Sequence, residues 1–506
     1  MTTRLIPDAA KACAAVAALL IAAGCGREPE PVAAPATPPE AAAKAEAPPR
    51  TLEIPDNAVA QSALAKWTGD LDGMVERRII RVLTTYSKTQ FFIDRGMQRG
   101  LVPDAFKIFE DDLNKKLKTK NLRVQVVIVP VAHDELVPAL LEGRGDIVAA
   151  GKVVSEWRKA DVDFSNATRT GISTIVVTGP GVPTLATPQD LAGREVYLRA
   201  SDVSGDAVKR FNAALAAAGK PPVRVKPAPE VLADEDLLEM VSAGMVPQTI
   251  VDYYVAEFWQ KILPGLVLNT GAAVRTDAST AMMVRKGSPK LLAELNDFLA
   301  RYPEGSLTRN VLFQKYLKNV QYAKAATSGA DLERFRKVVA LMKKYGDQYH
   351  MDYLLMAAQG YQESGLDHAR KSQVGAVGVM QVMPKTGEEL KVGDIRQLEP
   401  NINAGIKYMR FMIDQYYADE PMDDLNKGLF AFASYNAGPA RIRGLREKAA
   451  KRGLDPNKWF NNVEVVASES IGRETVQYVA NIYKYYLAYQ MATEQMQQRD
   501  AAKAAK

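Results

Sequence analysis

The sequence contains very little of the side-chain chemistry that builds disulfides and metal sites. Its two cysteines, Cys13 and Cys25, lie at the start of a chain of 506 residues, and its three histidines, His133, His350 and His368, are far apart. We therefore expect no disulfide framework, no thiolate or multi-histidine metal site and no histidine-based triad. Neither a metal nor an organic cofactor is expected. The chemistry must come from carboxylates, hydroxyls, amides or backbone groups.

Concentrated charge of either sign is also missing. The chain has 65 basic and 59 acidic residues, a net charge of +6, and no long block of like charge. Nucleic-acid binding usually leaves a denser basic patch, so we do not expect nucleic acid as a partner. The 47% apolar and 25% charged residues are typical of soluble globular protein, and the length suits two or three domains.

A hydrophobic run long enough to span a bilayer is absent as well. The apolar run at 12–24, ACAAVAALLIAAG, is too short for this but suits the core of a signal peptide, and Arg4 and Lys11 precede it. The run leads into Cys25, and IAAGC resembles a bacterial lipobox. This resemblance implies that a signal peptide of residues 1–24 is removed and that Cys25 carries lipid.

The segment after Cys25 has the composition of a tether. It is rich in proline and alanine and carries no aromatic residue over 27–50, so it cannot bury enough surface to fold. We predict a tether over 25–75. An aspartate after the lipid site often signals retention in the inner membrane, and Gly26 stands there instead. The sequence thus predicts a periplasm-facing lipoprotein of the cell envelope, anchored in the outer membrane.

Strands and helices alternate in the first predicted domain, residues 76–325. The segments RIIRVLTTY and VQVVIVPV are typical of strands, and VPDAFKIFEDDLNKKL between them has helical spacing of its apolar residues. HDELVPALLEGRGDIVAA predicts another helix and strand. This alternation predicts βαβ units and a parallel sheet.

Two segments of this domain, GRGDIVAAGKVVSEWRKADVDFS and IVDYYVAEFW, resemble the type 2 periplasmic solute-binding proteins of the amino-acid-binding group. The resemblance implies an α/β clamp of two lobes around a ligand. It also implies that Arg158 pairs with the ligand's α-carboxylate and that Asp252 receives its α-amino group. Ser201 and Ser204 lie near a helix start, where backbone N–H groups favour an anion. The expected ligand is an amino acid or a muropeptide.

The second predicted domain, residues 330–492, is almost entirely helical. Leu332, Phe335, Val339 and Met342 share one face of a helix that Gly346 is predicted to end. Residues 493–506 are polar and rich in alanine, which predicts a polar tail.

Glu363 ends the next helix of this domain. Asp352 is predicted to cap DYLLMAAQGYQES at its start, and Gly365 follows Glu363 almost at once. A carboxyl group at the end of a mostly apolar helix can be partly desolvated and still face a cleft. Burial raises the pKa of a carboxyl group, as a general acid for glycoside cleavage requires.

Three ordered motifs in this domain resemble the soluble lytic transglycosylase family, whose fold is lysozyme-like. They are ESGLDHARKSQVGAVGVMQVMPKTG from Glu363, ASYNAGPARI from residue 433 and ETVQYVANI from residue 474. The match departs at His368, where proline is usual, and at Ser434, where alanine is common. The resemblance implies that Glu363 is the catalytic acid and that eight further residues bind substrate: Ser364, Ser372, Met380, Gln381, Met383, Tyr435, Asn436 and Tyr478. Amides and tyrosines suit sugar hydroxyl, acetamido and ring surfaces.

The order of the domains resembles the membrane-bound lytic transglycosylase F type. This implies cleavage of the β-1,4 bond between N-acetylmuramic acid and N-acetylglucosamine in peptidoglycan, without water, to leave 1,6-anhydro ends. Most glycosidases use two carboxylates, whereas the motifs here supply one. Two alternatives stay open: a lipid-anchored sensor whose helical domain only grips glycan, and a muramidase that uses water.

Overall fold

The computed structural model describes residues 65–320 and 329–504, with the side chains of 329–336 left out. The predicted signal peptide, Cys25 and the tether as far as residue 64 lie outside these residues, as do the side chains of Leu332 and Phe335. No helix within the described ranges combines the length and the apolar character that crossing a membrane requires.

The first domain is built from ten strands and eight α-helices over residues 71–313 of the described chain. The strands are Ile79–Thr84 (β1), Phe92–Asp94 (β2), Met97–Arg99 (β3), Gln125–Pro130 (β4), Ile147–Val148 (β5), Val162–Thr178 (β6), Glu195–Arg199 (β7), Arg224–Ala228 (β8), Gln248–Asp252 (β9) and Val267–Arg285 (β10). The helices are Leu71–Glu76 (α1), Leu101–Lys116 (α2), Leu136–Leu141 (α3), Val203–Ala217 (α4), Asp234–Ser242 (α5), Tyr253–Gln260 (α6), Pro289–Arg301 (α7) and Leu307–Phe313 (α8).

Eight of these strands form one mixed sheet in the order β4-β1-β5-β10-β6-β9-β7-β8. The predicted parallel pairing holds at its two ends, where β1 pairs with β4 and β5, and β7 pairs with β8 and β9. It is wrong in the middle, because β6 and β10 run antiparallel to each other and to their neighbours. These two strands, 17 and 19 residues long, pass through both halves of the sheet with repeated register shifts.

Separate apolar clusters on the two sides of β6 and β10 define two lobes, as the resemblance implied. One cluster gathers Phe106, Phe109 and Phe298 over the β4-β1-β5 end, and others pack α4, α5 and α6 over the β9-β7-β8 end. The first lobe begins before residue 76, because Met74 of α1 is fully buried in its core. The predicted boundary of the tether at residue 75 is therefore too late.

The second domain contains eight α-helices in the part of the chain that the structure describes. They are Gly329–Tyr349 (α9), Tyr353–Ser364 (α10), Pro384–Leu390 (α11), Leu398–Tyr416 (α12), Asp424–Ala437 (α13), Pro439–Lys451 (α14), Glu464–Ser470 (α15) and Arg473–Ala504 (α16). The predicted stop at Gly346 is wrong, since α9 continues to Tyr349. A side chain at 346 would meet the carbonyl of Met351, so this glycine allows close approach instead.

The last helix, α16, joins the two domains. Val479 and Ile482 of α16 share one apolar cluster with Val127 and Val129 of β4. Further along, Arg499 is buried and pairs with Asp236 of α5 at 2.5 Å. The polar tail predicted for 493–506 is thus helix as far as Ala504. Its polar residues find their partners on the other domain.

Candidate active site and ligand cleft

Glu363 is the last residue but one of α10, as predicted. Asp352 caps this helix, because its carboxylate accepts hydrogen bonds from the backbone N–H groups of Leu354 and Leu355. Gly365 then takes a left-handed φ of 69° and turns the chain into the loop that leads to α11. The Glu363 side chain is half-buried, so it is partly desolvated and still reachable.

Burial raises the pKa of Glu363 from 4.5 to about 7. A hydrogen bond from the hydroxyl of Tyr478, 2.5 Å from Oε1, and the charge of Arg370 act in the opposite direction and limit the rise in this pKa. The negative end of the α10 dipole also disfavours a carboxylate at this position. Glu363 therefore still carries its proton in a large fraction of molecules near neutral pH.

Two buried tyrosines from different helices surround this carboxyl group. Tyr478 lies on α16 and Tyr435 on α13, and the Tyr435 hydroxyl donates to the carbonyl of Met380 at 2.8 Å. Burial, and after it the charge of Glu363, raise the pKa of both tyrosines well above the ordinary value. Both hydroxyls therefore stay protonated and act as hydrogen-bond donors.

Hydrogen bonds from side chains of the loop and of the neighbouring helices hold the loop between α10 and α11. The Ser364 hydroxyl donates to the carbonyl of Val379 at 2.8 Å, and the Gln381 amide donates to the carbonyl of Gly378 at 2.8 Å. Asn401 of α12 accepts from the N–H of Met380. At Gly378, which has a φ of 77°, a Cβ would lie 2.6 Å from the Asn401 side chain. Glycine is needed at this position because of the positive φ and because of the close approach of the Asn401 side chain.

These contacts differ from the predicted substrate-binding roles of three residues. Ser364 and Gln381 are buried and bonded within the loop, and the Met380 side chain is fully buried in the core. The side chains of Ser364, Met380 and Gln381 are thus directed inward and shape the loop, and the substrate-binding roles of these residues stay predictions. Motif resemblance gives the positions of such residues but not the direction of their side chains.

The other predicted residues lie closer to the surface or to Glu363. Ser372 is half-buried and accepts from the N–H of Ala376, and Met383 is half-buried at the start of α11. Asn436 is half-buried, and its carbonyl oxygen accepts from Thr475, which leaves its amide N–H₂ directed elsewhere. Tyr435 and Tyr478 lie around Glu363, as described above. The substrate-binding roles of all five stay predictions.

Sequence reasoning did not include Gln359 or Arg370 in the site. Gln359 lies one helical turn before Glu363, is fully buried, and has its Nε2 3.5 Å from the Tyr478 hydroxyl. The described residues provide no partner for its Oε1. A buried amide at spacing i, i+4 from the acid was the available signal. Arg370 lies in the loop, and only its charge on Glu363 identifies it.

The four ligand residues predicted in the first domain come together in one cleft between the lobes. Arg158 is 6% exposed and donates to the carbonyl of Ser201 at 3.3 Å. Its Nε and Nη1 are buried and find no acceptor among the described residues. Asp252 accepts from Thr174 at 2.8 Å, and burial raises its pKa to about 7.

The predicted backbone anion site beside them is already used within the protein. The N–H of Ser201 donates to Glu230, and the N–H of Ser204 donates to Asp202, the N-cap of α4. Both serines line the cleft, but their N–H groups bind carboxylates of the protein instead of facing a ligand anion. Arg158 is thus the stronger candidate for the anionic end of a ligand.

Comparison with known proteins agrees with this division of the chain. The family model of bacterial extracellular solute-binding proteins, family 3, matches residues 80–319, and that of the transglycosylase SLT domain matches residues 340–459. An ancestral arginine-binding protein bound to glutamine has 25% identity and a TM-score of 0.39, covering 48% of this chain and 98% of its own.

Two relatives match along both domains, and each bears the name membrane-bound lytic murein transglycosylase F. The protein from Pseudomonas fluorescens is 28% identical over 438 residues, which cover 82% of this chain and 85% of the relative. The protein from Desulfosudis oleivorans is 27% identical over 429 residues, which cover 80% and 89%.

The fold and the matched families define the class: a two-lobed solute-binding domain joined to a helical SLT transglycosylase domain. Both predicted folds are confirmed. Over most of its length the chain is similar to proteins named membrane-bound lytic murein transglycosylase F.

Proposed function

We propose that this protein is a lytic transglycosylase that cleaves the β-1,4 bond between N-acetylmuramic acid and N-acetylglucosamine in peptidoglycan and leaves a 1,6-anhydro end. The observation that carries this proposal is Glu363, a half-buried carboxyl group beside two protonated tyrosines, whose pKa is raised by burial to about 7. The names of the relatives and the matched SLT domain support the same activity.

In the proposed mechanism, Glu363 acts twice. Its protonated form gives a proton to the oxygen that leaves with N-acetylglucosamine, and the bond from C1 to that oxygen breaks. The N-acetyl group of the muramoyl residue stabilises the cation-like C1. The Glu363 carboxylate then removes the proton of the C6 hydroxyl as O6 bonds to C1, which restores the acid without consuming water. Ring closure within one sugar has a large advantage of proximity.

The tyrosines support both halves of this cycle. Tyr478 donates to Oε1, which fixes the carboxyl group and leaves Oε2 to exchange the proton with substrate. The same hydrogen bond stabilises the carboxylate that forms after the first proton transfer. Tyr435 connects α13 to the loop, because its hydroxyl donates to the Met380 carbonyl.

The decisive experiment is digestion of purified sacculi by wild type and by Glu363→Gln, followed by mass spectrometry of the products. The amide keeps the shape but has no acidic proton, so the rate should fall more than about a hundredfold while sacculus binding persists. Glu388→Gln, at an exposed position of α11, is the matched control. Reducing ends in place of anhydro ends indicate a muramidase, and binding without product indicates a sensor. Full activity of Glu363→Gln refutes the mechanism.

We further propose that the first domain binds a zwitterionic ligand, an amino acid or a muropeptide, and that binding regulates cleavage. Arg158 and Asp252 supply one cationic and one anionic partner in the cleft. The helix α16 offers a physical connection, because it bears Tyr478 near one end and Arg499 near the other. Arg499 binds Asp236, which directly follows two residues that line the cleft.

The test of regulation is to titrate free muropeptides against the cleavage rate of wild type and Arg158→Ala. Coupling between two sites is typically worth about 1–3 kcal/mol, so the wild-type rate should change about five-fold or more. That change should weaken in the variant. Binding by calorimetry with a flat rate would reduce the domain to a docking module.

We also propose that Cys25 is lipidated and that the mature chain begins there, anchored in the outer membrane and facing the periplasm. The support is the lipobox-like IAAGC, the tether composition behind it and Gly26 after the lipid site. The relatives bear the word membrane-bound in their names.

A further inference from the structure

The ligand cleft of the first domain contains more charge than an amino acid's own carboxylate and ammonium groups require. Seven charged side chains line it: Lys152, Arg158, Arg199, Asp202, Asp234, Glu235 and Asp252. Charged side chains that pair with protein groups hold the shape of the cleft. Charged side chains that do not pair indicate which charges a ligand must supply.

Four of the seven are paired with protein groups. Arg199 binds Asp202 at 3.1 Å and also binds Asp234, so these three neutralise one another to a net charge of −1 at the wall of the second lobe. Glu235 accepts the N–H of Lys88 at 2.6 Å and the hydroxyl of Ser87 at 3.2 Å. Its carboxylate therefore connects the two lobes.

Three charged groups then remain for a ligand: Lys152, Arg158 and Asp252. Arg158 has two buried nitrogens without an acceptor in the described part of the chain. Asp252 accepts only from Thr174 there. A ligand with one ammonium and one carboxylate would bind Asp252 and Arg158 and would leave Lys152 unmatched.

The surroundings of Lys152 show what it lacks. Its ammonium group donates to Nδ1 of His133 at 2.7 Å, so this histidine is neutral and acts as the acceptor. Within residues 65–320 and 329–504, Lys152 forms no ion pair with a carboxylate. Burial and the charge of Arg199 lower its pKa to about 8, and the charges of Asp202 and Asp234, which already pair with Arg199, limit that fall. Lys152 is therefore mostly charged at neutral pH. A buried ammonium without a carboxylate partner is costly unless a ligand supplies one.

We propose that Lys152 selects a ligand with a second carboxylate: an amino acid that carries one ammonium group for Asp252, one carboxylate for Arg158 and one further carboxylate for Lys152. His133 holds the Lys152 side chain toward the cleft and so positions it. This inference rests on the proposed ligand cleft and adds the charge of the ligand's side chain.

The experiment is isothermal titration of the full-length protein with L-glutamate, L-glutamine, L-aspartate and L-asparagine. The two pairs differ in length but, within each pair, only in the second carboxylate. A charge-assisted hydrogen bond in a buried site discriminates about ten-fold or more. In at least one pair, wild type should bind the acid at least about ten-fold more tightly than its amide.

Three variants separate the possible failures. Lys152→Gln keeps a donor for His133 and should bind acid and amide equally. Lys159→Gln removes the same charge from an exposed position, where its partner is Glu156, and should keep the wild-type preference. Arg158→Ala should lose affinity for acid and amide alike.

The outcomes are distinguishable. An amide that binds wild type as tightly as its acid, or a preference that persists in Lys152→Gln, overturns the assignment of Lys152 and leaves the ligand cleft standing. Affinity unchanged in Arg158→Ala, or no binding of any of the four by wild type, overturns the amino-acid cleft itself and this inference with it. Thermal melts of each variant identify any loss of affinity that is due to misfolding.

Discussion

Replacing Tyr478 by phenylalanine tests the electrostatics of the active site most directly. The substitution keeps the buried ring on α16 and removes the hydroxyl that donates to Glu363. That hydrogen bond stabilises the ionised carboxylate and lowers the pKa of Glu363, against the larger effect of burial. Without it, Glu363 should hold its proton to a higher pH.

The size of the pKa shift follows from the free energy of the hydrogen bond that is removed. A hydrogen bond to a charged group contributes about 1.5–3 kcal/mol, and about 1.4 kcal/mol corresponds to one pKa unit. The pKa of Glu363 should therefore rise from about 7 by roughly one to two units. Since the general acid must be protonated, the alkaline limb of the pH profile should move up by the same amount.

The assay is kcat/KM for release of muropeptides from sacculi, measured over the pH range where the protein stays folded. The absolute rate should also fall, because Tyr478 fixes the carboxyl group, but the position of the limb is the decisive quantity. Tyr485→Phe is the control. Its ring lies two turns further along the same helix, with its centroid 4.7 Å from that of Tyr361, and its hydroxyl is not among the groups that shift the pKa of Glu363. A limb that stays in place or moves to lower pH in Tyr478→Phe would refute the electrostatic argument.

Three further predictions concern stability and the anchor. Glu363→Gln should be more stable than wild type above pH 7 and equal to it near pH 4. The pKa of Glu363 is about 7 in the folded state and 4.5 in the unfolded state, so the wild-type protein loses stability as the pH rises from 4.5 to 7. Equal melting temperatures at pH 8 would contradict this prediction. Asp352→Ala should cost about 1–2 kcal/mol in chemical denaturation, with Asp352→Asn between the two, since the side chain caps α10. Cys25→Ala should move the protein from the membrane fraction to the soluble periplasmic fraction. Unchanged fractionation would contradict the predicted lipid anchor.

Local features of the fold were predictable from the sequence, because they depend on neighbouring residues. The Asp352 cap, the end of α10 at Glu363 and the strands β1 and β4 all follow from patterns within one segment. The antiparallel centre of the sheet was not predictable in this way. Its strands β6 and β10 lie about 100 residues apart and pair through many register shifts, which no local pattern encodes.

The same limit applies to the sites. The motifs identified Glu363, Tyr435 and Tyr478, which the structure brings together from three helices. They did not reveal that Met380 is directed into the core, because one motif contains loop-shaping residues as well as exposed ones. The last turns of α16, residues 493–504, were missed because Arg499 is stabilised by a partner 263 residues away. A charged, alanine-rich segment resembles a tail because the sequence does not show that its arginine pairs with a residue of the other domain.

The charges around Glu363 bear on the question of a second carboxylate. A glycosidase with two acids keeps them about 5 to 9.5 Å apart, and the charge of the second raises the pKa of the first. In the described part of the chain, the one charged side chain that affects the pKa of Glu363 is Arg370, and it lowers that pKa. Asp367 is exposed in the loop and accepts the N–H of Ala369, as a turn residue does. The pKa of Glu363 is thus raised by desolvation and not by a neighbouring acid. This environment agrees with the proposed cycle, in which the substrate's own acetamido group and C6 hydroxyl take the place of the second carboxylate and the water.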